Sequence, residues 1–343
     1  MSSFRTFLYA LAVATLAACG GGSGAALPPA ASDLGTRAPS GSTIVFEKRT
    51  LWVAYANQVN AFSTGGSGAV TPQQTLGSLP WYNSSGVPIP GSPGIVDIAV
   101  APDGTRWVLE NRDAFLGGPG WRLYAVAPGD TQPENTYGDD VNRPFALALG
   151  GDGPSVAYRS SDGTTTIATY AYAASNSAPV RTLHLTGQVL GYAAGNDGRF
   201  YVARPNAFDV YRPIPNGWAL VRSIPTTTPS GSVTISSQEF AVGPDASLYV
   251  VDLPGSSSNP VMYVNVYPRG SGTAARRIGP LPANYNGLGF PVIAVDAANR
   301  LYVATNGQIY RFGPRANGAA QPQLVMTDST PARPVALAVG PKL

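Results

Sequence analysis

A unit of about fifty residues recurs along most of this chain, and that recurrence limits the fold more than any other feature. Ile98-Ala-Val-Ala-Pro-Asp-Gly-Thr-Arg-Trp-Val108 aligns with Phe240-Ala-Val-Gly-Pro-Asp-Ala-Ser-Leu-Tyr-Val250 and with Ile293-Ala-Val-Asp-Ala-Ala-Asn-Arg-Leu-Tyr-Val303. Looser copies begin at Ala146 and Gly191. Each copy reads as an apolar strand, a tight turn of Asp, Gly or Asn, and a second apolar strand, which is a hairpin signal. A third strand ends in an aromatic residue, as in Val59–Phe62, Leu123-Tyr124, Thr169–Tyr172, Val264–Tyr267 and Ile309–Phe312. A short fourth strand follows a Gly/Pro/Ala loop, as in Gln74–Leu76, Val180–Leu183, Arg276–Ile278 and Gln323–Val325.

Placing the second-strand register residue at Trp52, Trp107, Val156, Tyr201, Tyr249 and Tyr302 gives spacings of 55, 49, 45, 48 and 53. Six units of four short strands predict an all-β, six-bladed β-propeller of four-stranded antiparallel blades. Runs such as Ile98–Ala101 and Ala146–Leu149 are continuously apolar. Strands covered on both faces require that, whereas a β-sandwich would show cleaner alternation. A solenoid usually has shorter repeats.

The C-terminal segment Val335–Pro341 reads as a first strand without a second. It is expected to close the propeller as the innermost strand of the blade that starts at the N-terminus, leaving no open edge. Thr43–Phe46 also aligns as a first strand for Trp52, and both cannot hold one position. The C-terminal strand is preferred there, with Thr43–Phe46 as an outer or additional element.

The chain resembles the NHL-repeat and related six-bladed bacterial propellers. The resemblance is carried by Ile293–Ala304 and by Val266-Tyr-Pro-Arg-Gly-Ser-Gly-Thr-Ala-Ala-Arg-Arg-Ile278, and it spans residues 43–343. It implies the fold and leaves function open, because propellers host binders, scaffolds, lyases and hydrolases.

Residues 1–18 read as a secretory signal: Arg5 supplies the positive charge, Phe7–Leu16 the apolar stretch, and Ala17-Ala18 the small residues. Leu16-Ala17-Ala18-Cys19 resembles the bacterial lipobox, and Cys19 is the sole cysteine of 343 residues. The resemblance implies that Cys19 becomes the acylated, palmitate-type N-terminus, and several acyl chains anchor a protein stably. No acidic residue follows in Gly20–Gly24, which by analogy with enterobacterial sorting favours the outer over the inner membrane. Residues 19–42 then form the lipidated Cys and a flexible Gly/Ala/Pro/Ser tether, with a reach on the order of 25 Å.

Charged residues make up 12% and the net charge is +3, which argues against both a disordered charged tail and nucleic-acid binding. One Cys excludes internal disulfides and Cys-based zinc sites. The long connections carry Trp81, Tyr82, Phe115, Trp121, Tyr137, Tyr285 and Phe290, aromatics that loops on a rigid scaffold could offer to a glycan or an envelope protein. Asp97 and Glu239, with Glu110 and Asp252 nearby, are the weak metal candidates, because lactonase-type propellers hold a divalent cation at the pore with hard oxygen ligands. Asp103, Asp152, Asp197 and Asp245 recur in the first turns, where Asp bonds its own backbone. His184, between two leucines, is expected in an outer fourth strand with a structural role.

The expectation is therefore a monomeric, envelope-anchored binding or scaffolding propeller without cofactor. A metal-dependent lactonase-like hydrolase or lyase, or a carbohydrate-binding propeller, is the alternative.

Overall fold

In the computed structural model the described residues are 49–77, 94–111, 120–139, 142–172, 178–226, 240–254, 261–281, 291–305, 307–328 and 333–341. Cys19 and Thr43–Phe46 lie outside them. Blade 1 holds β1 (Thr50–Tyr55), β2 (Val59–Ser63) and β4 (Gln74–Leu76), with β3 (Gly68–Val70) between β2 and β4 in the chain. Blade 2 holds β5 (Gly94–Val100), β6 (Arg106–Asn111), β7 (Trp121–Val126) and β8 (Asn135–Asp139). Blade 3 holds β9 (Arg143–Leu149), β10 (Pro154–Arg159), β11 (Thr165–Thr169) and β12 (Arg181–Leu185). Blade 4 holds β13 (Gly191–Ala194), β14 (Phe200–Arg204), β15 (Ala207–Ile214) and β16 (Gly217–Pro225). Blade 5 holds β17 (Phe240–Val242), β18 (Leu248–Asp252), β19 (Met262–Tyr267) and β20 (Arg276–Leu281). Blade 6 holds β21 (Val292–Val295), β22 (Leu301–Thr305), β23 (Gln308–Phe312) and β24 (Leu324–Asp328). The last strand, β25 (Pro334–Gly340), returns to blade 1.

These sheets form a six-bladed β-propeller. Blade 1 has the order β25-β1-β2-β4, with Thr50 opposite Gly340 and Val53 opposite Leu337. The C-terminal strand is thus the inner strand of the first blade, as its orphan pattern required. A link the repeat did not reveal joins the same two blades on the outside. There β3 leaves blade 1 and adds in parallel to β24, with Thr327 opposite Ala69.

The core is divided among the blade interfaces. Inner-strand residues alternate between neighbours: Ile98 packs into the cluster shared by blades 1 and 2, and Ala99 against the one shared by blades 2 and 3. Trp52, Trp107, Tyr201, Tyr249 and Tyr302 stand opposite Ala338, Ala99, Ala193, Ala241 and Ala294. All five rings are buried. Each large ring therefore meets a methyl group on the inner strand, and an aromatic of this size contributes roughly 4–6 kcal/mol gross as an upper bound.

Blade 3 departs from the expected register. Its first turn spans Gly150–Gly153, one residue shorter than Ala101–Thr105 in blade 2, so Ser155 and not Val156 stands opposite Ala148. Ser155 is buried, and its hydroxyl shares a 2.8 Å hydrogen bond with that of Thr169.

The turn chemistry follows the sequence. The Asp103 carboxylate accepts from Thr105 N at 2.9 Å, Asp197 from Arg199 N at 3.3 Å, and Asp245 from Ser247 N at 3.0 Å. The next residue is left-handed in each turn: Gly104 (φ 89°), Gly198 (φ 71°) and Ala246 (φ 61°), the conformation for which glycine is the unstrained choice. Asp152 differs, pairing with Arg181 Nε at 3.0 Å.

Candidate functional site: the central channel

The six inner strands enclose a central channel of about 730 Å³. Its waist is a ring of alanines at matching register, Ala99, Ala148, Ala193, Ala241, Ala294 and Ala338. Small side chains at this position keep the axis open while their methyls pack outward between blades. Val100, Leu149, Val242, Val295 and Val339 line the channel toward the first turns, with Ala194 as the small member of that tier. The channel shares Val100, Val242, Val295 and Val339 with a cavity of about 670 Å³ among the turns, bordered by Arg49, Asn196, Pro244 and Pro341. It therefore opens on the short-turn face. A second cavity of about 670 Å³ continues outward between blades 1 and 2, past Arg49, Trp52 and Gln74. There the buried Arg106 stacks on Trp52, 4.9 Å from the ring centre, and donates to the carbonyls of Ala127 and Asp130 at 2.5 and 2.6 Å.

Asp97 marks the other end of the channel lining. It follows a register shift between Ile95 and Asp97, which aims its carboxylate toward blade 3. Oδ1 accepts from Ile98 N and Oδ2 from Leu147 N, both at 2.8 Å. The second bond ties the inner strands of blades 2 and 3 together. Asp97 is half-buried, with protein packed around its carboxylate and one side of the residue lining the channel. Desolvation pushes its pKa up to about 7, against the opposing pull of the Leu147 and Ile98 amides. Next to it, the Tyr192 hydroxyl is held well above its ordinary range, first by burial and then by the Asp97 charge.

The other expected site residues divide into two sets. Trp81, Tyr82, Phe115, Tyr285, Phe290 and Glu239 lie outside the described residues. Trp121 and Tyr137 were expected on ligand-facing loops, and the structure corrects that placement. Trp121 opens β7 and Tyr137 lies in β8, both at most 1% exposed. They pack with Tyr170 in the cluster between blades 2 and 3, with ring centres 5.9 and 5.2 Å from it. Trp121 at the start of β7 and Tyr137 in the short β8 lie beside Gly-, Pro- and Asp-rich connections that read as loops in sequence, and burial decides otherwise.

Asp252 is buried on β18, with its Oδ2 3.1 Å from Arg277 Nη2 and 3.3 Å from Asn265 Nδ2. Arg277 also lies over the Tyr263 ring at 3.7 Å, so this acid belongs to a blade-stiffening cluster. Glu110 is buried at the end of β6. His184 lies on β12 at an exposed position, its Nδ1 3.1 Å from Thr166 Oγ1. Among the described residues no three His, Cys, Asp or Glu side chains gather as a metal site.

The channel itself is not legible as a site in the sequence. The alanines stand within continuously apolar runs, and the one sequence signal at Tyr192 is a Tyr where other copies carry Ile, Leu or Phe.

No family profile matches this sequence, and no curated protein matches it either. Among solved structures the chain is similar to a Bacteroides caccae protein of unknown function, at 11% identity and a TM-score of 0.56, over 85% of this chain and 99% of that one. It is also similar to a candidate 6-phosphogluconolactonase from Bacteroides fragilis, at 12% identity and a TM-score of 0.51, over 87% of this chain and 99% of that one. Likeness at such low identity defines the class of fold, a β-propeller, and no activity.

Proposed function

We propose that this chain is an envelope-anchored lipoprotein whose propeller binds a small molecule in its central channel and does not transform it. The observation that carries the reading is the preformed channel of about 730 Å³, apolar along its waist and ending at a fixed carboxylate. Ligand sites are concave and combine apolar lining with a few placed polar groups; this channel has a volume in the usual range, an alanine ring at its waist and the Asp97 carboxylate. The anchor rests on Leu16-Ala17-Ala18-Cys19 and the apolar stretch before it.

The test purifies the full chain from its membranes and identifies co-purifying small molecules by mass spectrometry. Ala194→Trp serves as a plugged control, because Ala194 lines the channel and is partly accessible. A compound present with wild type and lost from an equally stable Ala194→Trp supports the reading. Equal recovery from both, or none from either, contradicts it. Radioactive fatty-acid labelling of Cys19→Ala tests the anchor: label should disappear, and equal label in the variant would overturn the lipoprotein assignment.

A further inference from the structure

We propose that the channel selects a ligand with an apolar body and one protonated amine, and that the Asp97 carboxylate receives the amine. This rests on the channel-binding reading above and names its ligand class.

Three observations point to a cation. Among the described residues lining the channel, the charged ones are Asp97 and Asp103, both acidic. At the short-turn mouth Asp103 stands near Arg49 and Asp296 of the adjoining cavity, so the charge that selects lies at the other end, where among the described residues lining the channel Asp97 stands without a cation. A carboxylate there attracts a positive group and disfavours an anion. Second, Asp97 is oriented before any ligand arrives. One amide holds each oxygen at 2.8 Å, and a carboxylate with about four acceptor positions retains lone pairs for another donor. Third, the two backbone amides oppose the desolvation of Asp97, and no described side chain forms an ion pair with it. Buried charges are ordinarily paired, and here an entering ammonium would complete the pair.

The groups around Asp97 add no competing cation. Tyr192 approaches from β13, and buried Glu110 lies on the neighbouring β6, next to the Leu109 that pairs with Asp97. Arg143, at the start of β9, is exposed to solvent. Asp103 and Tyr172 lie at the short-turn end. A cationic ligand therefore binds more tightly as pH rises and Asp97 ionises, with the change centred near 7. The apolar body then lies along the alanine waist toward the short-turn mouth.

The experiment compares benzylammonium, benzyl alcohol and benzoate, which share a body and differ in the head group. Each is titrated calorimetrically into the full chain at pH 6 and pH 8. The expected result is benzylammonium tighter than the other two by tenfold or more at pH 8, with the preference narrowing at pH 6. In Asp97→Asn the amine and the alcohol should bind alike. If that variant does not fold, the pH dependence in wild type carries the decision alone. Equal affinity of all three probes, lost in Ala194→Trp, would overturn the amine assignment and leave the channel reading standing. Binding unaffected by Ala194→Trp, or no binding of any probe, would overturn both.

Discussion

The Tyr192 hydroxyl donates to the main-chain carbonyl of Ser155, across the interface of blades 3 and 4. The two residues compensate for each other. Ser155 stands where other blades carry Trp or Tyr, and Tyr192 stands where others carry Ile, Leu or Phe. A ring missing from one strand is thus supplied from the neighbouring blade, and its hydroxyl finds a partner inside the core. Tyr192→Phe keeps the ring and leaves that carbonyl short of a donor, which should cost about 1–3 kcal/mol. A thermal melt of the full chain reads this as a drop of a few degrees. An unchanged melting temperature would show that the ring alone matters.

Asp97 should couple stability to pH. Its folded pKa, about 7, lies above the ordinary value of 3.8, so between these values the folded state holds a proton that the unfolded state has lost. Stability therefore falls as pH rises from about 4 to 7 and levels off above, the reverse of a salt-bridged carboxylate. Subtracting the profile of Asp97→Asn from that of wild type isolates the effect. A flat difference over this range, or one that rises with pH, would contradict the desolvated placement.

Deleting residues 334–343 removes β25. The loss includes buried Ala336, Leu337 and Ala338 and exposes the inner edge of β1. The expected cost is several kcal/mol out of a typical ~5–15, read as a fall of about ten degrees or more in melting temperature. A fall of only a degree or two would mean that another segment can take the inner position.

Turn aspartates should differ sharply in weight. Asp296 stands two positions earlier in its turn than Asp103 does in blade 2. Its Oδ1 accepts from Ala298 N at 2.8 Å and Arg300 N at 2.9 Å, and its Oδ2 pairs with Arg300 Nε at 2.6 Å. Both side chains are buried, at 0% and 7% exposed. Asp296→Ala strands the guanidinium and should cost about 3–5 kcal/mol. Asp103→Ala removes one exposed turn bond and should cost about 1 kcal/mol or less. Equal effects in parallel denaturant titrations would refute this ranking.

The blades were legible because Trp52, Trp107, Tyr201, Tyr249 and Tyr302 recur at a steady spacing beside apolar runs. Closure was legible because Val335–Pro341 had no partner strand of its own. Blade 3 slipped by one residue, since a single deletion in Gly150–Gly153 shifts the register without changing the apolar pattern. Trp121 and Tyr137 were misplaced because each borders a connection rich in Gly, Pro or Asn. The bond from Leu147 N to Asp97 joins residues fifty positions apart, and only the packing of blade against blade creates it. The open axis depends likewise on where six alanine runs stand relative to one another, which no single run records.

The most direct test of channel binding is to locate a ligand. Crystals of the full chain grown with 4-bromobenzylamine would place the bromine by its anomalous scattering. The account predicts a peak on the propeller axis beside the alanine waist, with the ammonium against Asp97. A bromine confined to the outer surface of the propeller, or absent from the channel at saturating probe, would contradict it.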